Sequence, residues 1–330
     1  MKKLFKILGI LLILLIVAGA GFYIYLMKSF PKVEPAPTMK IEVTPARLER
    51  GNYLANHVVG CIGCHSERNF GYFAGPIAPG TEGKGGELFD ESKGFPGSFY
   101  AKNITPAGIG NWTDGELFRA VTCGVDKDGE PLFPMMPYLH FGQMDKEDVL
   151  SVLAYIRTLK PIPNDVPKSK PRFPMNLIER TIPCASNFQT RPDKNNTVEY
   201  GKYLVNSASC TDCHTQQVKG KPKEGLEFAG GFEFPFDNGF LVRSANITPE
   251  DETGIGKWTK EQFITKFKVF DKPADQNNVP VSPGTFNTWM PWTYYAGMTT
   301  EDLGAMYDFL RTVKPVKNKV EKFSAIGVTN

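Results

Sequence analysis

Two short cysteine and histidine motifs carry the clearest chemistry in this sequence. Each has the pattern Cys-x-x-Cys-His, and the motifs occupy residues 61–65 and 210–214. Two cysteines three positions apart in a helical turn can each form a thioether to one vinyl group of the same porphyrin. The two copies therefore predict two covalently bound haem c groups. The predicted attachment residues are Cys61, Cys64, Cys210 and Cys213.

Histidine is scarce in this chain, and half of its histidines follow these cysteine pairs. Of four histidines, His65 and His214 end the two motifs. A histidine in this position can bind the haem iron from the proximal side, so we predict that both are axial iron ligands. For a single copy of the motif, a redox-active cysteine pair or half of a zinc site would be the alternatives.

The two motifs lie within a longer internal repeat. Its other members are Gly-x-Tyr-Leu (51–54 and 201–204), Asn-Ile-Thr-Pro (103–106 and 246–249), Gly-Ile-Gly-x-Trp-Thr (108–113 and 254–259), Met-Pro (136–137 and 290–291) and Arg-Thr-x-Lys-Pro (157–161 and 311–315). Motifs that recur in the same order predict two homologous units.

Helix start and stop signals predict three main helices in each unit, joined by long loops. A Thr followed three positions later by Glu or Gln is a capping box, and an apolar stripe that ends before a proline indicates the closing helix. The predicted helices precede the cysteine pairs (about 48–58 and 198–207), follow the capping boxes (Thr113 and Thr259) and close each unit (from Asp145 and Thr299).

A second axial ligand decides what a haem iron can do. Methionine sulfur closes the site and raises the potential, whereas an open position admits small molecules. Met136 and Met290 align in the repeat, and each precedes a proline and an aromatic residue, so we predict them as the second ligands. Met135 aligns with Trp289, which cannot bind iron. Another matched pair precedes helix N-caps, where an apolar side chain packs as a staple: Met144 and Met298.

Other paired polar residues are candidates for contact with the haem propionates. Asn and indole N–H groups are donors, which a partly buried carboxylate needs. The candidates are Asn103, Trp112, Asn246 and Trp258. The alternative is that the Asn-Ile-Thr-Pro segments form turns and the tryptophans pack in the core. We interpret His57 and His140 as surface or haem-edge residues, because neither aligns with a histidine.

Two cysteines remain outside the motifs. Cys123 and Cys184 can form a disulfide if the protein lies outside the cytoplasm. The alternative is two separate buried thiols that behave as small apolar residues.

The N-terminus has the composition of a membrane anchor. Lysines at positions 2, 3 and 6 precede an almost unbroken apolar run over 7–27, which at about 1.5 Å per residue can cross a bilayer. A cleaved signal peptide is the alternative, with Ala18-Gly19-Ala20 as its cleavage site. The preceding lysines predict a single-pass topology in the cytoplasmic membrane, with the rest of the chain on the periplasmic side. The net charge of +3 gives no support for nucleic acid binding.

Taken together, these motifs resemble a tandem of class I-type cytochrome c domains. More narrowly, the chain is similar to the multihaem cytochrome c subunits of membrane-bound alcohol, sugar and aldehyde dehydrogenases, over about 47–161 and 198–315. Those subunits usually carry three haems, whereas this chain has two motifs and an N-terminal apolar segment. The resemblance implies an all-α fold of two tandem domains, each with three main helices around a covalent haem.

The repeat and the resemblance together predict the organisation of the chain. The predicted segments are an anchor (1–28), a Pro-rich tether (29–46), a first cytochrome c domain (47–161), a linker (162–196), a second domain (197–316) and a tail (317–330). The predicted function is electron transfer between a dehydrogenase or quinol-oxidising complex and an oxidase or soluble carrier, without catalysis in this chain. The alternative is a dihaem redox enzyme, such as a peroxidase or a thiosulfate-oxidising cytochrome.

Overall fold

The computed structural model describes residues 1–218, 220–236, 239–272, 278–282 and 284–325, mainly as short helices joined by long loops. The first half contains α1 (Lys2–Ser29), α2 (Pro45–Tyr53), a π-helical segment (Leu54–Val58), α3 (Cys61–Cys64), α4 (Pro106–Ile109), α5 (Asp114–Cys123), α6 (Tyr138–Phe141) and α7 (Lys146–Ile156). The second half contains α8 (Met175–Ile178), α9 (Thr197–Ser207), α10 (Cys210–His214), α11 (Lys260–Lys268), α12 (Trp292–Tyr295) and α13 (Thr300–Leu310). Short 3-10 helices cover Glu91–Lys93 and Glu179–Thr181.

The predicted starts of the capping-box helices and of the closing helices are confirmed, whereas the helix predicted from about residue 48 begins at Pro45. Thr113 and Thr259 each cap a helix, and in both cases the complete capping box forms with the residue three positions on. Asp145 and Thr299 are the N-caps of α7 and α13, with side chains that accept hydrogen bonds from backbone N–H groups of the first turn.

A single extra residue distinguishes the first half just before its cysteine pair. The Gly-x-Tyr-Leu segments are 150 positions apart, whereas the cysteine pairs are 149 positions apart. The first half accommodates the insertion in its π-helical segment Leu54–Val58, while α9 continues as an α-helix. After this segment the two halves align with an offset of 149 positions, which pairs His57 with Asn206 if the extra residue precedes His57.

Three small antiparallel sheets lie in the loops, so the prediction of an all-α fold is not confirmed. They are formed by β1 (Leu88–Phe89), β2 (Gly97–Tyr100) and β3 (Lys170–Pro171), by β4 (Gln217–Val218) and β5 (Lys221–Pro222), and by β6 (Glu233–Phe236), β7 (Phe240–Arg243) and β8 (Phe323–Ala325). Aromatic residues favour these pairings: Phe89 lies opposite Phe99, whose ring stacks on Phe133 at 4.1 Å.

The structural repeat continues beyond the predicted domain ends at 161 and 316. Strand β3 lies in the predicted linker and pairs with β2, with Gly97 opposite Pro171. Strand β8 lies in the predicted tail and pairs with β7, with Leu241 opposite Ser324. Each half is thus completed by a strand that we had assigned to a connecting segment. Residues 326–330 of the tail lie outside the described residues.

Two glycines of the repeat allow the closest helix crossings. A Cβ on Gly51 would lie 1.9 Å from the carbonyl oxygen of Ser151 in α7, and a Cβ on Gly201 would lie 1.9 Å from that of Ala305 in α13. Because real Cβ atoms do not approach this closely, only glycine lets α2 pack on α7 and α9 on α13. These crossings hold the start and the end of each half together.

The two halves share one hydrophobic core and a reciprocal interface. The Tyr53 hydroxyl of the first half donates to Oδ2 of Asp302 in the second, at 2.7 Å. The Tyr203 hydroxyl of the second half donates to Oδ2 of Asp148 in the first, at 2.6 Å. Residues at equivalent positions thus exchange equivalent contacts, as they do around a twofold axis.

The connecting segments pack against the first half. Ile41 of the predicted tether is buried, and its N–H donates to Asp114 at the start of α5, at 2.7 Å. In the predicted linker, the N–H of Asn187 donates to the carbonyl oxygen of Gly142 at 2.8 Å. The ring of Phe188 lies 5.5 Å from that of Phe118. The linker therefore wraps around the first half.

Helix α1 has the length and composition of a membrane span. It covers Lys2–Ser29, an 18-residue window of it has a mean hydropathy of 2.8, and its apolar side chains are exposed, with Leu26 as the buried exception. A signal sequence near the N-terminus has the same properties, so both predicted alternatives fit this helix. Just after it, the carbonyl oxygen of Phe30 accepts a hydrogen bond from Nε of Arg180 at 3.2 Å.

Candidate haem sites

Each cysteine pair lies on a short helix that is entered from a left-handed residue. Gly60 (φ 69°) precedes α3, and Ser209 (φ 53°) precedes α10. Within one helical turn, positions i and i+3 lie on the same face, so the two sulfur atoms of each pair can reach one porphyrin. None of the four cysteines is in a disulfide, and Cys64 and Cys213 are exposed.

The two motif histidines are held in the same way. Nδ1 of His65 lies 2.7 Å from the carbonyl oxygen of Lys102, and Nδ1 of His214 lies 2.8 Å from that of Ala245. A carbonyl only accepts hydrogen bonds, so the proton is on Nδ1 and the lone pair of Nε2 is free to bind a metal. Burial lowers the pKa of both imidazoles, which favours the neutral form that ligates iron.

Sequence analysis missed the backbone groups that orient these histidines. Lys102 and Ala245 each directly precede an Asn-Ile-Thr-Pro segment. This shared position was the signal that could have identified the two carbonyl groups. The spacing from the histidine could not, because the intervening loops differ in length. The orientation of the two histidines therefore depends on main-chain carbonyl groups rather than on side chains.

Two further glycines complete the same loops. The N–H of Gly85 donates to the carbonyl oxygen of His65 at 2.7 Å, and that of Gly230 to the carbonyl oxygen of His214 at 2.8 Å. Both have positive φ, 69° and 71°. A Cβ would lie 2.5 Å from the N of Asn103 in the first case and 2.4 Å from the C of Ala245 in the second. These positions therefore require glycine.

The predicted methionine ligands occupy equivalent turns. Met136 and Met290 are half-buried against the core, and their carbonyl oxygens accept hydrogen bonds from the N–H groups of Tyr138 and Trp292 at 2.7 and 2.8 Å. The prolines between them have nearly the same backbone angles (φ −79° and −82°). The structure thus gives both methionines the same backbone setting, and their ligation of iron stays a prediction.

The alternative methionines have structural positions. Met144 and Met298 are fully buried in the core, 2% and 0% exposed, next to the N-caps of α7 and α13. This agrees with their predicted role as staples.

The indole N–H of Trp289, which aligns with Met135, is buried and makes no hydrogen bond to the described residues.

The two asparagines of the Asn-Ile-Thr-Pro segments are buried and bonded to the protein. Oδ1 of Asn103 accepts from the N–H and the hydroxyl of Thr105, at 2.9 and 2.7 Å, and Nδ2 donates to the carbonyl oxygen of Ile162. Asn246 makes the equivalent bonds to Thr248 and Val316. These contacts support the turn-forming alternative, and propionate contact by either asparagine stays a prediction.

The paired tryptophans differ in exposure. Trp112 is buried (9% exposed) and Trp258 is half-exposed (36%). Their contact with haem propionates also stays a prediction.

The other two histidines lie between the halves. Nδ1 of His57 lies 3.0 Å from the carbonyl oxygen of Tyr294, and His140 lies within hydrogen-bond distance of Asn206 and Asp212. Our interpretation of both as surface or haem-edge residues missed that each one bridges the two halves.

Cys123 and Cys184 are separate free thiols in the structure. Cys123 is buried and Cys184 is exposed. Only Cys123 has the burial that the second alternative requires, so the disulfide stays a prediction. Among the described residues, no group of three or more His, Cys, Asp or Glu side chains is arranged to hold a metal ion.

Comparison with known proteins relates the second of these sites to cytochrome c. Residues 198–314 match the sequence model of cytochrome c. The chain is 29% identical over 290 residues to the cytochrome c subunit of a quinone alcohol dehydrogenase from Gluconacetobacter polyoxogenes, covering 82% of this chain and 57% of that subunit. It is 31% identical over 246 residues to the cytochrome subunit of fructose dehydrogenase from Gluconobacter japonicus, covering 69% and 47%.

A third relative matches a shorter stretch of the chain. The diheme cytochrome c-type protein of Cereibacter sphaeroides is 28% identical over 179 residues, covering 51% of this chain and 55% of that protein. The chain thus spans about half the length of the curated relatives that it matches. A cytochrome c domain implies covalently bound haem c, and the free Nε2 of His214 within the matched region fits that group. Residues 198–314 thus belong to the cytochrome c family, and the chain is similar to the cytochrome c subunits of alcohol and fructose dehydrogenases.

Proposed function

We propose that this chain is a membrane-anchored dihaem c-type cytochrome that transfers electrons and does not itself catalyse a reaction on a substrate. The observation that supports it best is the matched pair of histidines, each with Nδ1 bonded to a carbonyl oxygen and Nε2 free. A single such site would suit one haem. Two at equivalent positions of a repeat support two haems in one chain.

In this proposal the repeat corresponds to two tandem cytochrome c domains. Residues 47–161 and 197–316 form the domains, 1–28 the anchor, 29–46 the tether, 162–196 the linker and 317–330 the tail. The pairing of β3 and β8 with their own halves supports extending each domain to include its last strand. The resemblance of the two halves in helix order and caps supports the duplication.

The ligands proposed for the two irons are His65 with Met136 and His214 with Met290. Haem bound in this way would supply a one-electron Fe(II)/Fe(III) couple. The cysteines would attach the porphyrin, the histidines would present Nε2, and the methionine sulfurs would exclude water from the opposite side. The buried aromatic and aliphatic side chains around them would keep the surroundings at low dielectric.

The proposed location is the periplasmic face of the cytoplasmic membrane. Support comes from α1, which can span a bilayer, and from the lysines at its start. Two of the relatives are cytochrome subunits of alcohol and fructose dehydrogenases, so a dehydrogenase is the proposed electron donor. An oxidase or a soluble carrier is the proposed acceptor.

The full chain purified from detergent-solubilised membranes tests this function. We expect two haems per polypeptide by mass spectrometry, two low-spin centres with the near-infrared methionine–Fe(III) band, and a co-purifying dehydrogenase. A polypeptide without added haem mass would contradict the proposal. A high-spin haem that binds cyanide at rest would instead support the redox-enzyme alternative, because such a centre has an open position.

A further inference from the structure

The interface between the halves brings a side chain of each half onto the haem-attachment helix of the other. His140 in α6 and Tyr294 in α12 occupy equivalent positions of the repeat, four residues after the predicted methionine ligands. Nε2 of His140 lies 2.9 Å from Oδ1 of Asp212 in α10. The hydroxyl of Tyr294 donates to the carbonyl oxygen of Gly63 in α3 at 3.2 Å.

Gly63 and Asp212 are themselves equivalent, since each directly precedes the second cysteine of its motif. At Gly63 the partner is an aromatic ring: a Cβ there would lie 1.9 Å from the ring of Tyr294, so no larger residue fits. At Asp212 the partner is an imidazole, and the carboxylate side chain is 44% exposed. The same position is thus neutral and covered in one half but charged in the other.

His140 is placed to carry a positive charge. Its Nε2 faces the Asp212 carboxylate, and its Nδ1 lies 2.9 Å from Oδ1 of Asn206. Both partners are acceptors, so both hydrogen bonds form only when the ring is doubly protonated. Burial lowers the pKa of His140, but the hydrogen bond and the negative charge of Asp212, together with Asn206, outweigh it and raise the pKa.

Asp212 lies in the same helical turn as the two attachment cysteines of the second half, so its carboxylate would be close to a porphyrin attached there. A negative charge at this place stabilises the oxidised iron, whose charge is higher, and so lowers the reduction potential. A protonated His140 opposes that effect. Gly63 has no such charge to be opposed.

We propose that His140 of the first half is a positioning residue that neutralises Asp212 and thereby sets the potential of the second haem separately from that of the first. The inference rests on the proposed two-haem function. It assigns a role to a contact between the halves, in addition to the roles of the ligands within each half.

Redox titration of the full-length protein followed by visible absorption, fitted with two potentials, tests this role. In His140→Gln the carboxylate loses its cation, and we expect one of the two potentials to fall while the other stays unchanged. Adding Asp212→Asn to that variant should reverse the fall, because the uncompensated charge is then gone. Asp212→Asn alone should leave that potential unchanged or higher.

Tyr294→Phe is the matched control, since it removes the equivalent contact of the first attachment helix without changing a charge. We expect it to shift either potential less than His140→Gln does. If both potentials fall together in His140→Gln, or if the fall persists in the double variant, the contact acts through structure alone and the proposal is wrong. A wild-type protein with a single haem would instead refute the proposed function.

Discussion

The first and second halves hold their histidines in the same way but cover their attachment helices with different side chains. Nδ1 of His65 and of His214 bonds a carbonyl oxygen at the same position of the repeat. The second-half Tyr294 covers the first attachment helix, whereas the first-half His140 meets the second. The parts that present the ligands are thus shared, and the differences lie where the halves meet.

This comparison separates what a haem site needs from what distinguishes one site from another. The loops that orient the histidines have equivalent main-chain contacts in both halves, because a metal ligand must be fixed in tautomer and orientation. The interface contacts face the porphyrin attachment points without supplying ligands, so their side chains can vary in charge. Variants made in pairs, one in each half, test whether the halves are equivalent where we expect it.

The largest effect is expected from the motif histidines. His65→Ala and His214→Ala each remove a proposed proximal ligand, so we expect maturation to fail in that half alone and the polypeptide to carry one haem. Intact-mass spectrometry and haem-stained gels measure this. A variant that keeps wild-type haem content would show that the replaced histidine is not the proximal ligand.

Replacing the predicted methionines should open the iron and spare the attachment. In Met136→Ala or Met290→Ala we expect two haems per chain, a lower potential for one of them and new binding of cyanide, because sulfur no longer fills the second axial position. Met135→Leu is the matched control, since Met135 adjoins Met136 but has no methionine counterpart. Unchanged potentials in both alanine variants would exclude these methionines as ligands.

The glycines that follow the histidines should be needed in both halves. Gly85→Ala and Gly230→Ala combine a positive φ with a Cβ contact at 2.5 Å or less, and we expect each to reduce the free energy of unfolding by about 2–4 kcal/mol. Gly80→Ala is the control, because Gly80 also has a positive φ (81°) but nothing lies within 4 Å of its Cβ. Denaturant unfolding should show a loss of only about 1 kcal/mol there.

The sequence predicted the parts of each site that depend on local pattern. The cysteine spacing and the capping boxes depend only on neighbouring residues. The structure confirms the helix starts at the capping boxes of Thr113 and Thr259. The carbonyl group of Lys102 lies 37 positions from His65, and no side-chain pattern announces a main-chain acceptor. The sheets and the bridging role of His140 depend on distant segments that meet only in the folded chain.

A smaller effect on the free energy of unfolding is expected from the two tyrosines that cross the interface, Tyr53 and Tyr203. Tyr53→Phe leaves the buried Asp302 carboxylate with a hydrogen bond from Tyr200 at 3.4 Å and an ion pair to Lys194 at 3.6 Å. Tyr203→Phe leaves Asp148 with two arginine partners. We therefore expect Tyr53→Phe to reduce the free energy of unfolding by about 1.5–3 kcal/mol and Tyr203→Phe to reduce it by less, as measured by denaturant unfolding. Equal losses would show that the two carboxylates are equally well satisfied.

The smallest effect concerns acid stability at Asp148. Burial alone would raise the pKa of Asp148, but Arg50, Tyr203 and Arg191 outweigh it and hold the pKa below its usual range. A lowered pKa in the folded state stabilises the protein at pH values above the unfolded pKa, and this contribution is lost as the pH falls through the folded pKa. The wild-type free energy of unfolding should therefore decrease on acidification more steeply than that of Asp148→Asn. Parallel pH profiles for the two proteins would show that the arginine pairs contribute nothing to acid sensitivity.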